Sequence, residues 1–297
     1  VIRIFRVSGF ALLLLGSAWA QPLPVSAERL DDRWIIRVNE QTFTAYRFND
    51  GQKYPYFFPV NGPISGLSVT TESSLPYPHH RSLFFGCDKV NGNNFWQEGN
   101  ELGQIVSLGP TLVKNGPDTL HLQDRCEWRR PGQAPVILDQ RDYYIMAPTP
   151  TLRIIDVNVV LTAMTDIKIE KTNHALFAAR MAPELAVKSN GVLINSVGAL
   201  AEKGTFGIKS AWCDYSGSRF GISEGLAIFD SPKNPWYPCT WFTRDYGFFS
   251  PTPMEWLDQD GYRLAKGKKL SLQYRVIVHA GNHLQADIAA LFDAWSH

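Results

Sequence analysis

The chain has 297 residues, 44% of them hydrophobic, with 29 Lys and Arg against 28 Asp and Glu. It is long enough to bury a sizeable core and is close to neutral. Neutrality without any basic run excludes a phosphate-tracking surface, and there is no P-loop or dinucleotide fingerprint, so nucleic acid is not an expected partner.

In chain order, the first twenty residues come first. Arg3 and Arg6 form a positive start, Phe10 to Leu15 an apolar core, and Ala18-Trp19-Ala20 a small-x-small cleavage signal. Residues 1–20 therefore read as a signal peptide, Gln21 as the first mature residue, and the periplasm or the exterior as the destination. Without Arg3 and Arg6 the balance is 27 basic against 28 acidic residues. No later window is apolar enough for an integral membrane span.

Residues 21–297 read as β nearly throughout. Trp34 to Val38 and Thr42 to Phe48 alternate, and Asn49-Asp50-Gly51 gives a turn signal. Further strands are expected at Asp118 to Leu122, Asp142 to Met146, Leu152 to Leu161, Gly191 to Asn195, Gly221 to Phe229 and Lys269 to His279. Only two segments look helical, a short one at His174 to Arg180 and the C-terminal Ala286 to Trp295. No repeat, linker or composition shift marks a boundary. The expected architecture is one large antiparallel β-sandwich with a short C-terminal helix.

Four cysteines, Cys87, Cys126, Cys213 and Cys239, include no CxxC pair. Export permits disulfides, so one or two bridges, or buried free thiols, are both open.

Four patches mix polar and aromatic residues. The first runs from His79, His80 and Arg81 to Asn94, Trp96 and Glu98. The second is Asp166 to His174, with Glu170 four residues before His174. The third is Trp212 to Gly217 with Asp214, and the fourth runs from Phe229 through Trp236 to Arg244 and Gly247. Two adjacent histidines in a regular strand would face opposite sides, leaving one to line a cleft. Imidazoles titrate where general acid and base chemistry operates, so His79, His80, Glu170 and His174 are the candidate catalytic residues. Glu170 and His174 share a face whether the chain between them is helical or extended. His79, His80 and His174 are also the candidate ligands for one divalent metal ion, although HxH and HExxH are absent. Trp96, Trp212, Asp214, Trp236, Arg81 and Arg244 are candidate substrate contacts. Aromatic platforms beside carboxylates and amides suit sugar rings with apolar faces and hydroxyl edges. His121, His279, His283 and His297 read as surface or hydrogen-bonded core residues.

The motifs PHHRSLFFG (78–86), VNGNNFW (90–96), LTAMTD (161–166), NSVG (195–198), WCDYSG (212–217), IFDSPKNPW (228–236) and RDYG (244–247) together resemble a bacterial exported family labelled methane oxygenase PmoA-like. Cys87 stands where many members of that family have a histidine. KTNHALF (171–177) and the long C-terminal strand resemble galactose-mutarotase-type β-supersandwich proteins more loosely. That resemblance implies a sugar on a concave sheet face and makes His174 the acid. The mutarotase glutamate has no counterpart, because Lys268 and Lys269 occupy its turn. The expected function is an exported carbohydrate-active enzyme of lyase, hydrolase or epimerase type. The alternatives are a non-catalytic carbohydrate-binding protein and, behind it, a metal-dependent oxidase.

Overall fold

The structure is a computed structural model that describes residues 21–97 and 99–297. The expected signal peptide, residues 1–20, and Glu98 lie outside the described residues. The chain begins with β1 (Val25–Leu30), β2 (Arg33–Val38), β3 (Gln41–Arg47), β4 (Tyr56–Val60) and β5 (Leu83–Cys87). There follow β6 (Gln104–Ser107), β7 (Thr111–Asn115), β8 (Leu120–Arg129), β9 (Ile137–Thr149) and β10 (Leu152–Ala163). Next come β11 (Ile167–Ile169), β12 (Ala175–Arg180), β13 (Val192–Asn195), α1 (Ala201–Thr205), β14 (Trp212–Arg219) and β15 (Ile222–Asp230). The chain closes with β16 (Trp241–Arg244), β17 (Phe248–Pro251), β18 (Tyr262–Leu264), β19 (Lys269–Ala280) and α2 (Ile288–Ser296).

Two antiparallel sheets face each other, as the alternating pattern predicts. One has the order β1-β2-β3-β4-β5-β12-β17-β16; the other runs β13-β14-β15-β19-β10-β9-β8-β6, with β7 also on β8. In β8, Leu120, Leu122, Cys126 and Trp128 turn inward while His121 and Gln123 stay on the outer face. The sheets interlock through aromatic pairs: Phe177 of β12 stacks on Tyr274 of β19 at 5.0 Å, and Phe57 of β4 meets Tyr143 of β9 edge-on at 4.8 Å. The C-terminal helix forms over Ile288–Ser296 and covers the outer face of the second sheet with Ile288 and Phe292 on Trp212 and Phe229.

One expected element changes, and one open point closes. The segment read as a short helix, His174 to Arg180, is strand β12, buried along its whole length and paired with β5 from Ala175↔Cys87 to Ala179↔Leu83. A short unbroken apolar run fits a strand covered on both faces as readily as a helical turn, and length favours the strand. Trp212 to Gly217 forms the body of β14. All four cysteines are separate buried thiols, so of the two possibilities the second is the one that forms. Among the described residues no helix is long and apolar enough to cross a membrane.

Candidate metal centre

The adjacent histidines escape the alternation rule because they lie before the strand. His80 N donates to the Tyr77 carbonyl at 3.2 Å, closing a turn around Pro78 and His79. Their rings can then converge, and the centroids are 4.5 Å apart. Ser82, at φ 55, swings the chain from this turn into β5. Pairing of β5 with β12 brings in the third histidine. Asp88, just after β5, donates its backbone N–H to the carbonyl of His174, just before β12, at 2.9 Å. Leu176, two residues on, also has a positive φ, 70. Left-handed backbone in a bulky side chain costs about 1–3 kcal/mol and persists only where its surroundings enforce it. One ring nitrogen from each of His79, His80 and His174 lies within 4.8 Å of the others.

The histidine rings are held from behind. His174 Nδ1 meets Asp88 Oδ2 at 3.1 Å, and the other Asp88 oxygen accepts the Thr172 hydroxyl. Thr172 in turn accepts the His174 backbone N–H at 3.1 Å. An imidazole that donates Nδ1–H to a carboxylate presents its Nε2 lone pair, the usual arrangement behind a metal-bound histidine. His80 is only 3% exposed, packed on Phe248 at 4.2 Å and Tyr77 at 5.3 Å. Burial, then His79, Arg180 and His174, pushes its pKa down to about 2, so it offers a lone pair and not a proton. Its Nδ1 is buried without a hydrogen-bond partner among the described residues. Three imidazoles suit zinc, copper, iron or nickel and disfavour the oxygen-seeking magnesium and calcium.

The other anticipated residues divide. Trp96 is fully buried beside the centre, between Phe84 at 4.6 Å and His174 at 5.8 Å. Arg81 leans on the Tyr56 ring at 5.9 Å. Glu170 does not share a site with His174: it is exposed, and Thr172 is the residue that turns inward there. Trp212 is core beneath α2. Asp214 is buried in the second sheet, paired with His279 at 2.7 Å. Trp236 packs on Tyr262 at 5.1 Å and helps line a separate cleft of about 310 Å³ with Trp256 and Lys209. Arg244 lies over Phe242 at 4.0 Å and pairs with Glu202 at 3.1 Å. Cys87 does not join the histidines; its thiol donates to the Asp88 carbonyl at 3.2 Å, and burial holds its pKa well above the usual range. The residues missed were Asp88, Arg180 and Tyr77. Arg180 carried a readable signal, a lone charge closing the otherwise apolar ALFAA run.

A family model described as a family of unknown function (DUF6807) matches residues 33–293. The PmoA-like label gains no support from that match. No curated protein matches. Similar solved structures include galactose 1-epimerase from Lactobacillus acidophilus NCFM, with TM-score 0.39, 10% identity and coverage of 89% of this chain and 100% of that one. A candidate aldose 1-epimerase from Escherichia coli K12 has TM-score 0.36 and 10% identity, covering 88% of this chain and 99% of its own. A polysaccharide lyase has TM-score 0.28 and 11% identity, over 89% of this chain and 33% of the lyase. At TM-scores below 0.5, function has to be read from this chain's own side chains.

Proposed function

This chain belongs to the family of unknown function DUF6807, and we propose that it is a carbohydrate-active enzyme working through one divalent metal ion held by His79, His80 and His174. The observation that carries the reading is the convergence of three imidazoles within 4.8 Å, one of them held from behind by Asp88. A sugar suits the surroundings. Tyr77, 40% exposed, and the half-buried Tyr246 present aromatic faces 5.2 Å apart, and Trp96 Nε1 is a buried donor without a partner among the described residues. A divalent cation bound here would supply a Lewis acid for a substrate oxygen or a water that ionises near neutral pH. Asp88 fixes the His174 ring, and His80, buried and neutral, stays a ligand. Hydrolysis by two facing carboxylates is disfavoured: Asp88 is the carboxylate in contact with the histidines among the described residues, and both its oxygens are engaged. Lyase or epimerase chemistry, in which a cation stabilises an enolate, fits better. With residues 1–20 acting as a signal peptide, the enzyme would work in the periplasm or outside the cell.

The test is elemental analysis of purified protein together with a mass-spectrometric product screen against oligosaccharides, uronates and keto-sugars, with and without added divalent metal. The expected result is about one metal per chain and products that disappear in His80→Ala and His174→Ala. Glycan binding without turnover under every metal condition would leave a recognition protein in its place.

A further inference from the structure

Three arginines are buried among the described residues, and of these Arg180 is the one with neither a carboxylate nor a carbonyl against its guanidinium. Arg141 forks onto Asp139 at 3.0 and 2.7 Å. Arg153 donates to the carbonyls of Thr149, Pro150 and Leu152. Arg180 is 2% exposed, yet its Nε and Nη1 have no hydrogen-bond partner among the described residues, and no described carboxylate pairs with it. Its guanidinium lies 4.3 Å from the Tyr246 ring, and burial pushes its pKa below the usual arginine value. A buried cation held only by ring faces costs several kcal/mol unless something completes it.

The position of Arg180 says what completes it. Its backbone N–H donates to the Ser82 carbonyl at 2.7 Å, two residues past His80, and it pairs in register with Phe248, whose ring packs on His80 at 4.2 Å. Tyr246 lies 6.3 Å from the His80 ring, nearly parallel to it, so one tyrosine borders both the imidazole and the guanidinium. Lys188 adds a second cation 6.0 Å from the same ring. We infer that Arg180, flanked by Tyr246, is an anion subsite of the histidine centre, and that the substrate is a sugar carrying an anionic group, a carboxylate or a sulfate. The guanidinium presents paired N–H donors whose spacing matches two oxygens of such a group. The sugar ring then lies against Tyr246, with its reacting carbon toward the histidines. This rests on the histidine centre being the reacting end of the site.

The experiment is calorimetric binding of D-glucuronate, glucose 6-sulfate and glucose to the full chain, with metal content measured in each preparation. At least one anionic sugar should bind 10-fold or more tightly than glucose, and the tighter of the two names the group. Arg180→Gln should erase that preference without changing metal content, and Arg180→Lys should recover only part of it. Equal affinity for all three sugars, no binding of either anionic sugar, or a preference that survives in Arg180→Gln would overturn the inference. Should Arg180→Gln not fold, the wild-type melting temperature decides: D-glucuronate or glucose 6-sulfate must raise it above glucose at the same ionic strength set with chloride, and no rise with either overturns the inference. Anion preference in protein that holds no metal would sink the metal reading and leave the subsite standing. Metal without the preference would do the reverse.

Discussion

Each of the two large sheets holds a histidine against a buried aspartate, and the two pairs differ in what they leave free; a further pair, His121 and Asp142 at 2.7 Å, lies on the outer face of the nine-stranded sheet. In the nine-stranded sheet, His279 Nε2 meets Asp214 Oδ1 at 2.7 Å and Nδ1 faces the Ala280 carbonyl at 3.3 Å. Both ring nitrogens are committed, and the pair is sealed, with 1% and 0% of the side chains exposed. Burial alone would lower the His279 pKa, but Asp214 holds it above the usual range. Gly225 makes room for the ring, since a Cβ there would lie 2.6 Å from Nε2. In the eight-stranded sheet, His174 gives Asp88 one nitrogen, stays 24% exposed and has two more imidazoles beside it. What sets His174 apart from both other pairs is the company of two more imidazoles, where His121 and His279 each meet only their aspartate and their own sheet.

The widest break in that contrast should come from His279→Ala. Leaving Asp214 buried and unpaired is expected to remove ~3–5 kcal/mol of stability, read by urea unfolding, while the folded fraction keeps its metal. Loss of metal at unchanged stability would mean the two pairs do not divide as described. Another buried carboxylate sharpens the point, because Asp230 has no imidazole beside it and among the described residues accepts from Asn234 Nδ2 at 2.7 Å and Cys239 N at 2.9 Å. Burial raises its pKa from 3.8 to about 6. The folded state therefore holds the proton more tightly, and stability present at low pH is lost as pH rises through that window. Wild type should lose about 3 kcal/mol relative to Asp230→Asn across it; a difference constant with pH would contradict this. Smallest is Asp88→Asn, expected to weaken metal binding about 10–100-fold in competition titrations while leaving the urea midpoint nearly unmoved.

Much of the framework was legible because alternation is local. The strands at Leu152 to Leu161 and Lys269 to His279 form where the pattern puts them. Three of the four candidate catalytic residues come together, yet the reason is not local. Alternation would have parted His79 from His80, and the turn at Pro78 brings them together instead. The partner of His174 was sought at Glu170, four residues away, and is Asp88, 86 residues away, chosen by the β5–β12 register. The aromatic patches misled at Trp212 for a different reason: indole serves core and cleft equally, and Trp212 went to the core under α2.

That register also fixes when the centre can exist. His79 and His80 are made more than ninety residues before His174, and the pairing that unites them has the longest reach in its sheet. On the proposed reading a growing chain would carry only a bidentate fragment until β12 has inserted between β5 and β17, so tight metal capture would have to await a late step of folding. An ion arriving then would tie two distant segments into one closed loop and make the strand pairing harder to undo. The same three side chains would serve as a reagent and as a clasp on the sheet that assembled them.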